Sequence, residues 1–70
     1  MTDKSLEKVG KRVRDYRKQL HLTQVGLEDK SGVHANTIAR LENGKHQPTT
    51  NTLKKLAKVF GVTISEILGE

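Results

Sequence analysis

The sequence predicts an all-α fold of five short helices, and three observations support this prediction. Apolar residues recur at steps of three and four, which is typical of helices with one buried face. Serine or threonine precedes several of these segments, where helix caps are expected, and glycine follows them. No segment alternates apolar and polar residues over the length of a strand, so no strand is predicted.

Helix 1 is predicted over about residues 6–19. Ser5 is its expected N-cap, because a serine oxygen can accept a hydrogen bond from a free amide of the first turn. One apolar stripe follows the helix, formed by Leu6, Val9, Val13, Tyr16 and Leu20. We expect the single tyrosine and the single phenylalanine, Tyr16 and Phe60, to lie in the core.

Helices 2 and 3 are predicted over about 24–31 and 35–43, and only three residues separate them. Thr23 is the expected N-cap of helix 2, while Gly32 and Gly44 end the two helices. Two short helices joined by a three-residue turn with a glycine match the helix-turn-helix motif. In that motif the second helix protrudes and fits the major groove of DNA, which is about 12 Å wide.

Two further helices complete the prediction. Helix 4 is expected over about 50–60, after a loop that contains the only proline, Pro48. Thr63 and Glu66 have the spacing of a capping box and predict a last short helix. The apolar positions of these helices are Leu53, Leu56, Ala57, Phe60, Ile67 and Leu68.

Length and composition limit the class of protein. The chain has 70 residues and no cysteine. A chain of this size buries only about 60% of its unfolded surface, so we expect one domain over residues 1–70 with its core at about 6–68. Disulfides and thiolate metal sites are not expected. There is no apolar run near the ~20 residues that span a membrane and no secretory signal, so a cytoplasmic protein is expected.

The charge is basic and unevenly distributed. Thirteen Lys and Arg against eight Asp and Glu give a net charge of +5, and the sequence pI is about 9.8. Residues 1–22 alone hold seven basic and three acidic side chains, a net charge of +4. A basic domain is compatible with nucleic-acid binding, but equally with a solvated helix face, so charge alone does not decide.

The outward face of helix 3 has side chains that can read bases. Asn36 can form two hydrogen bonds with the edge of adenine, and Arg40 can do the same with guanine. The two residues are four apart and therefore share one face of a helix. Ala35 and Ala39 are small enough to let the backbone approach, and Ala35 can contact a thymine methyl group.

A set of spaced positions runs through most of the chain: Leu22-Thr23-Gln24, Leu27, Gly32-Val33, Thr37-Ile38, Arg40-Leu41-Glu42-Asn43-Gly44-Lys45, Pro48, Leu53, Leu56-Ala57 and Phe60-Gly61-Val62. This set resembles the Cro/repressor-type helix-turn-helix family, often called XRE. The resemblance covers about residues 9–68 and implies a lambda-repressor-like fold and sequence-specific binding of double-stranded DNA. It further implies a transcriptional regulator, a repressor, that binds a near-palindromic operator as a homodimer.

The resemblance also implies roles for individual residues. Base contacts are implied for Ala35, Asn36 and Arg40. Arg17 and Glu42 match an ion pair that links helix 1 to the end of helix 3. Phosphate contacts are implied for Gln24, Thr37, Asn43 and Lys45, and the loop position of His46 adds it to this set.

Three positions depart from the family pattern. Glu28 stands where the family prefers alanine, and because a buried unpaired carboxylate is costly, we expect it to reach solvent. His34 replaces the usual serine or threonine cap of helix 3, so a weakened cap is expected. Ala35 replaces a polar reader, so direct readout is expected to use fewer hydrogen bonds.

Other functions remain open at this point. An antitoxin-like protein-interaction module can use the same fold, but it would usually carry an additional toxin-binding segment, and we expect none here. A non-specific nucleic-acid binder would have a more basic helix 3. If the protein is a dimer, Val59 and Ile64 are candidates for the contact between copies.

No enzyme, cofactor or metal is expected. The three histidines, His21, His34 and His46, fall in three different loops without the spacing of metal ligands. No nucleophile motif and no phosphate-binding glycine loop accompany them.

Overall fold

The structure is a computed structural model that describes residues 4–70, with side chains from residue 5 onward. The described part of the chain is helical and contains no strand, which confirms the predicted all-α class. The helices are α1 (Lys4–Gln19), α2 (Gln24–Ser31), α3 (Ala35–Glu42), α4 (Thr50–Phe60) and α5 (Ile64–Leu68).

Threonine side chains cap three of the helices. Thr23 Oγ1 accepts a hydrogen bond from the Gly26 amide at 2.9 Å, which confirms the predicted cap of α2. Thr49 caps α4 and Thr63 caps α5 in the same way. Each of these bonds satisfies an amide that has no partner inside its helix, so the start of each helix is determined locally.

The predicted boundaries need two corrections. Ser5 is not an N-cap, because α1 already begins at Lys4 and Ser5 lies in its first turn. The apolar stripe that begins at Leu6 marks the buried face of the helix and not its end. The third helix ends at Glu42, and Asn43 belongs to the turn that follows.

The core lies where the five helices meet. Helix α1 packs against α3 and α5, while α2 packs against α3 and α4. The rings of Tyr16 and Phe60 stack at its edge, with their centroids 5.4 Å apart, and both residues are partly buried. The buried apolar side chains are Val9, Val13, Leu27, Val33, Ile38, Leu41, Leu53, Leu56, Ala57 and Ile67.

A glycine lets the backbones of α1 and α3 approach each other. A Cβ atom added to Gly10 would lie 2.1 Å from the carbonyl oxygen of Leu41 and 3.1 Å from that of Glu42. Real Cβ atoms are not found at the shorter distance, so any larger residue at position 10 would have to push the helices apart. Gly10 therefore sets how deeply α3 is seated against α1.

Candidate nucleic-acid interface

The turn between α2 and α3 places α3 on the surface. Gly32 has a φ of +78°, a left-handed conformation that glycine adopts without strain, and it ends α2. Val33 in the turn is buried in the core. The chain therefore turns over residues 32–34, and α2 and α3 pack against each other across this short connection.

The two sides of α3 have opposite character. Ile38 and Leu41 are fully or almost fully buried. Asn36 and Arg40 are exposed, and within residues 5–70 neither side chain forms a hydrogen bond or ion pair. Ala35 at the start of the helix is half-buried. The structure thus brings the predicted base-contacting residues to one surface and leaves the polar groups of Asn36 and Arg40 available to a ligand.

Most of the predicted phosphate-contacting residues surround the C-terminal end of α3. The Lys45 amide donates a hydrogen bond to the Arg40 carbonyl oxygen at 2.9 Å, and the Asn43 amide donates to Ala39 at 3.1 Å. Asn43 and Lys45 are exposed, whereas His46 is half-buried. The loop is therefore attached to the C-terminal end of α3 by its backbone, and the Lys45 side chain in it is exposed. Thr37 lies within α3 and is half-buried.

Gln24, the first residue of α2, is held in place by a carboxylate. Its Nε2 donates a hydrogen bond to Glu42 Oε1 at 3.3 Å. An amide nitrogen has two N–H groups, so the second one can still donate to a phosphate. This bond connects the start of α2 to the end of α3.

The structure contains the Arg17–Glu42 ion pair that links α1 to α3. Arg17 donates from Nε to Glu42 Oε2 at 2.7 Å and from Nη2 to Oε1 at 2.9 Å. Its third nitrogen, Nη1, donates to the carbonyl oxygen of Leu22 at 2.7 Å. The two side chains are only 11% and 5% exposed. Hydrogen bonding to Glu42 raises the pKa of Arg17 above its ordinary value, against the lowering effect of burial.

The expectation for Glu28 was wrong in part. Its side chain is 35% exposed and so reaches solvent in part, but both carboxylate oxygens also have a partner within the protein. Oε1 accepts a hydrogen bond from the Ala35 amide at 3.2 Å, and Oε2 lies 3.3 Å from His34 Nδ1. A carboxylate in this position is partnered, and the cost expected for an unpaired one does not arise.

The expectation of a weak cap at His34 also needs correction. His34 makes no capping hydrogen bond with its own side chain, as its residue type predicts. However, Glu28 satisfies the first amide of α3 instead. The sequence contains no signal for this contact, because the donor and the acceptor are seven residues apart on two different helices.

Two further features, a metal-binding cluster and a membrane-spanning helix, are not found in the part of the chain that the structure describes. Within it, no three His, Cys, Asp or Glu side chains are grouped so that they could hold a metal ion. None of the described helices is long and apolar enough to cross a membrane.

Comparison with known proteins agrees with this geometry. The family model described as helix-turn-helix matches residues 13–67. The chain is 36% identical over 62 residues to the immunity repressor protein of Bacillus phage phi105, an alignment that covers 89% of this chain and 43% of the repressor. It is 37% identical over 70 residues to the HTH-type transcriptional regulator PuuR of Escherichia coli K12, covering all of this chain and 37% of the regulator. The chain thus spans about two fifths of the length of these relatives.

A solved structure has the same fold. The restriction-modification controller protein C.AhdI from Aeromonas hydrophila superposes with a TM-score of 0.87 at 26% sequence identity, covering 93% of this chain and 98% of that protein. The two relatives are named as a repressor and as a transcriptional regulator. The chain belongs to the helix-turn-helix family of the Cro/XRE type.

Proposed function

We propose that this chain binds double-stranded DNA in a sequence-specific manner and represses transcription, with α3 in the major groove. The observation that carries the proposal is the exposed face of α3, where Asn36 and Arg40 have no partner within residues 5–70. An α-helix fits the major groove, and these two residue types can each form paired hydrogen bonds with a base edge. A regulator of this family has no enzymatic role, and none is proposed.

Base contacts are assigned to Ala35, Asn36 and Arg40. Arg40 would bind the O6 and N7 atoms of a guanine, and Asn36 the N6 and N7 atoms of an adenine. Ala35 is half-buried and offers only a methyl group, which suits contact with a thymine methyl. Readout by this surface therefore depends mainly on two polar side chains.

Phosphate contacts would hold α3 in register on the duplex. Lys45 contributes a positive charge beside the C-terminal end of α3, and Gln24 retains one free N–H at the start of α2. The remaining residues assigned to phosphate contact are Thr37, Asn43 and His46.

The proposed active form is a homodimer on a near-palindromic operator, because one copy offers few base contacts. Two half-sites would lie about one helical turn apart, ~34 Å. Val59 and Ile64 remain the candidates for the contact between copies, although both are partly buried against the core of their own chain. With DNA as the ligand, we place the protein in the cytoplasm.

Selection from a library of random duplexes tests the proposed function. The chain is expected to enrich a short motif present as two inverted copies, with centres about 10 base pairs apart. A selection that enriches no sequence would overturn sequence-specific binding. Enrichment of a single half-site would agree with sequence-specific binding but would contradict the proposed homodimer.

The salt dependence of binding tests the phosphate contacts. The logarithm of the binding constant should fall with the logarithm of salt concentration by about 0.9 per neutralised phosphate, a total slope of about −4 to −8 for a dimer. Lys45→Ala should reduce the slope by about one per copy. Lys58→Ala, at the end of α4, is the matched control and should leave it unchanged. A slope near zero for the wild type would favour a protein-interaction module.

A further inference from the structure

Helix α3 differs from its neighbours in the origin of its N-terminal cap. Helices α2, α4 and α5 are each capped by the threonine that directly precedes them. The residue that precedes α3, His34, makes no capping bond. The cap of α3 comes from Glu28, which belongs to the middle of α2.

The Glu28 carboxylate joins the two sides of the turn. One oxygen accepts the Ala35 amide at 3.2 Å, and the other lies 3.3 Å from His34 Nδ1. His34 has 86% of its side chain exposed, against 35% for Glu28. The bond to Ala35 is therefore the better protected of the two contacts, and the carboxylate is fixed at the start of α3.

This contact affects the helix in two ways. It satisfies the Ala35 amide at the start of an eight-residue helix. Its negative charge also interacts favourably with the positive end of the helix dipole. Because Glu28 belongs to α2, the contact also fixes the first turn of α3 relative to α2. Asn36 is the second residue of that turn, so its position depends on the cap.

We propose that Glu28 is a positioning residue for DNA sequence recognition. Its carboxylate caps α3 from α2 and holds the first turn that carries Asn36 in the geometry that reads bases. By occupying the Ala35 amide it also keeps a phosphate from that one backbone group, while the side chains assigned to phosphate contact remain available. This inference rests on the proposed function, and it assigns a role to a position where the family prefers alanine.

The test compares binding to the selected operator with binding to random duplex DNA. Glu28→Ala is expected to lower the ratio of the two affinities about five- to tenfold, the effect of losing one helix cap. The operator complex needs Asn36 in place and weakens as fewer molecules have an ordered first turn. Non-specific binding depends on phosphate contacts and should not weaken. Loss of global stability alone would reduce both affinities together.

A matched control and a conservative variant separate the cap from the charge. Asp29→Ala removes one negative charge from the neighbouring position of α2, where the side chain is exposed and has no hydrogen-bond or ion-pair partner within residues 5–70. It should change the affinity ratio less than twofold. Glu28→Gln retains an acceptor oxygen for the Ala35 amide and should keep most of the selectivity, whereas a loss as large as in Glu28→Ala would show that the charge and not the cap is responsible.

Rescue from a second position makes the test specific to the cap. Serine at position 34 can cap α3 locally, so His34→Ser combined with Glu28→Ala should restore the affinity ratio to within about twofold of the wild type. His34→Ser alone should change the ratio little, because the wild-type cap is already present. Failure of the double variant to recover would overturn the proposal, as would an unchanged ratio in Glu28→Ala.

The outcomes also separate this proposal from the proposed function. If the wild type selects an operator and Glu28→Ala keeps full selectivity, only the positioning role is overturned. If the wild type selects no sequence at all, the proposed function is overturned, and the positioning role is overturned with it.

Discussion

The two faces of α3 use their polar groups in contrasting ways. On the buried side, Leu41 packs in the core, and Glu42 accepts hydrogen bonds from both Arg17 and Gln24. On the outward side, the side chains of Asn36 and Arg40 have no partner within residues 5–70. In one eight-residue helix, the buried side thus packs and forms hydrogen bonds within the protein, while Asn36 and Arg40 on the outward side form none within residues 5–70.

This contrast shows how a short helix can present a reading surface. An isolated helix of this length is marginal in water, so α3 depends on its contacts with the rest of the domain for its position. With the buried face holding the helix, Asn36 and Arg40 do not need partners inside the protein. A binding site needs this kind of rigid support to keep its side chains in place. Breaking the buried face should therefore affect folding, and breaking the outward face should affect DNA recognition alone.

The largest loss of stability is expected from breaking the Arg17–Glu42 pair. Glu42→Ala or Arg17→Ala leaves the other charge uncompensated in a site where the side chains are only 11% and 5% exposed. Each single change should lower the free energy of unfolding by about 3–5 kcal/mol, a large part of the 5–15 kcal/mol typical of a folded protein. Chemical denaturation measures the effect.

Two controls sharpen this result. Replacing both residues at once, Arg17→Met with Glu42→Leu, should be far milder than either single change, because no lone charge remains. Arg14→Ala removes an exposed arginine from the same helix and should shift the free energy of unfolding by less than about 0.5 kcal/mol. If both single variants of the pair unfold at the wild-type midpoint, the pair does not hold α3 against α1.

A somewhat smaller loss is expected from Gly10→Ala. Alanine normally favours a helix over glycine by about 1 kcal/mol, but here the new Cβ would lie 2.1 Å from the Leu41 carbonyl oxygen. Relieving that contact requires α1 and α3 to separate, at a cost of about 3 kcal/mol. Thermal unfolding of Gly10→Ala shows whether stability falls or rises, and Lys11→Ala, at an exposed position one residue away, is the control. Unchanged or increased stability in Gly10→Ala would show that the helices can shift freely.

Apolar periodicity and capping residues predicted most of the fold. The stripe from Val9 to Tyr16 and the cap at Thr23 are local patterns, and they identified α1 and the start of α2 without knowledge of the tertiary structure. The assignment of Ser5 as a cap was wrong, because Ser5 is exposed and lies ahead of the first apolar position but is already helical. Helix ends are set by such weak local effects and are the least predictable part.

Contacts between distant residues could not be read from the chain. The need for a glycine at position 10 arises only because the α3 backbone lies against it, and no local pattern near Gly10 indicates this. The capping role of Glu28 depends in the same way on the crossing of α2 and α3. The Arg17–Glu42 pair was expected only from the family resemblance, since the residues are 25 positions apart. The roles of Asn36 and Arg40 in base contact stay predictions.

Base reading by α3 is tested most directly by the base preference of Arg40→Ala, measured at every position of the selected operator. Arg40 is exposed on α3 and makes no internal side-chain bond within residues 5–70, so its removal should leave the unfolding midpoint unchanged. Base preference should be lost at one base pair per half-site, with a loss of about 1–3 kcal/mol for each contact. Arg14→Ala, which removes the same charge from α1, should weaken binding uniformly or not at all. An unchanged preference with unchanged affinity in Arg40→Ala would contradict the claim that this face of α3 reads DNA.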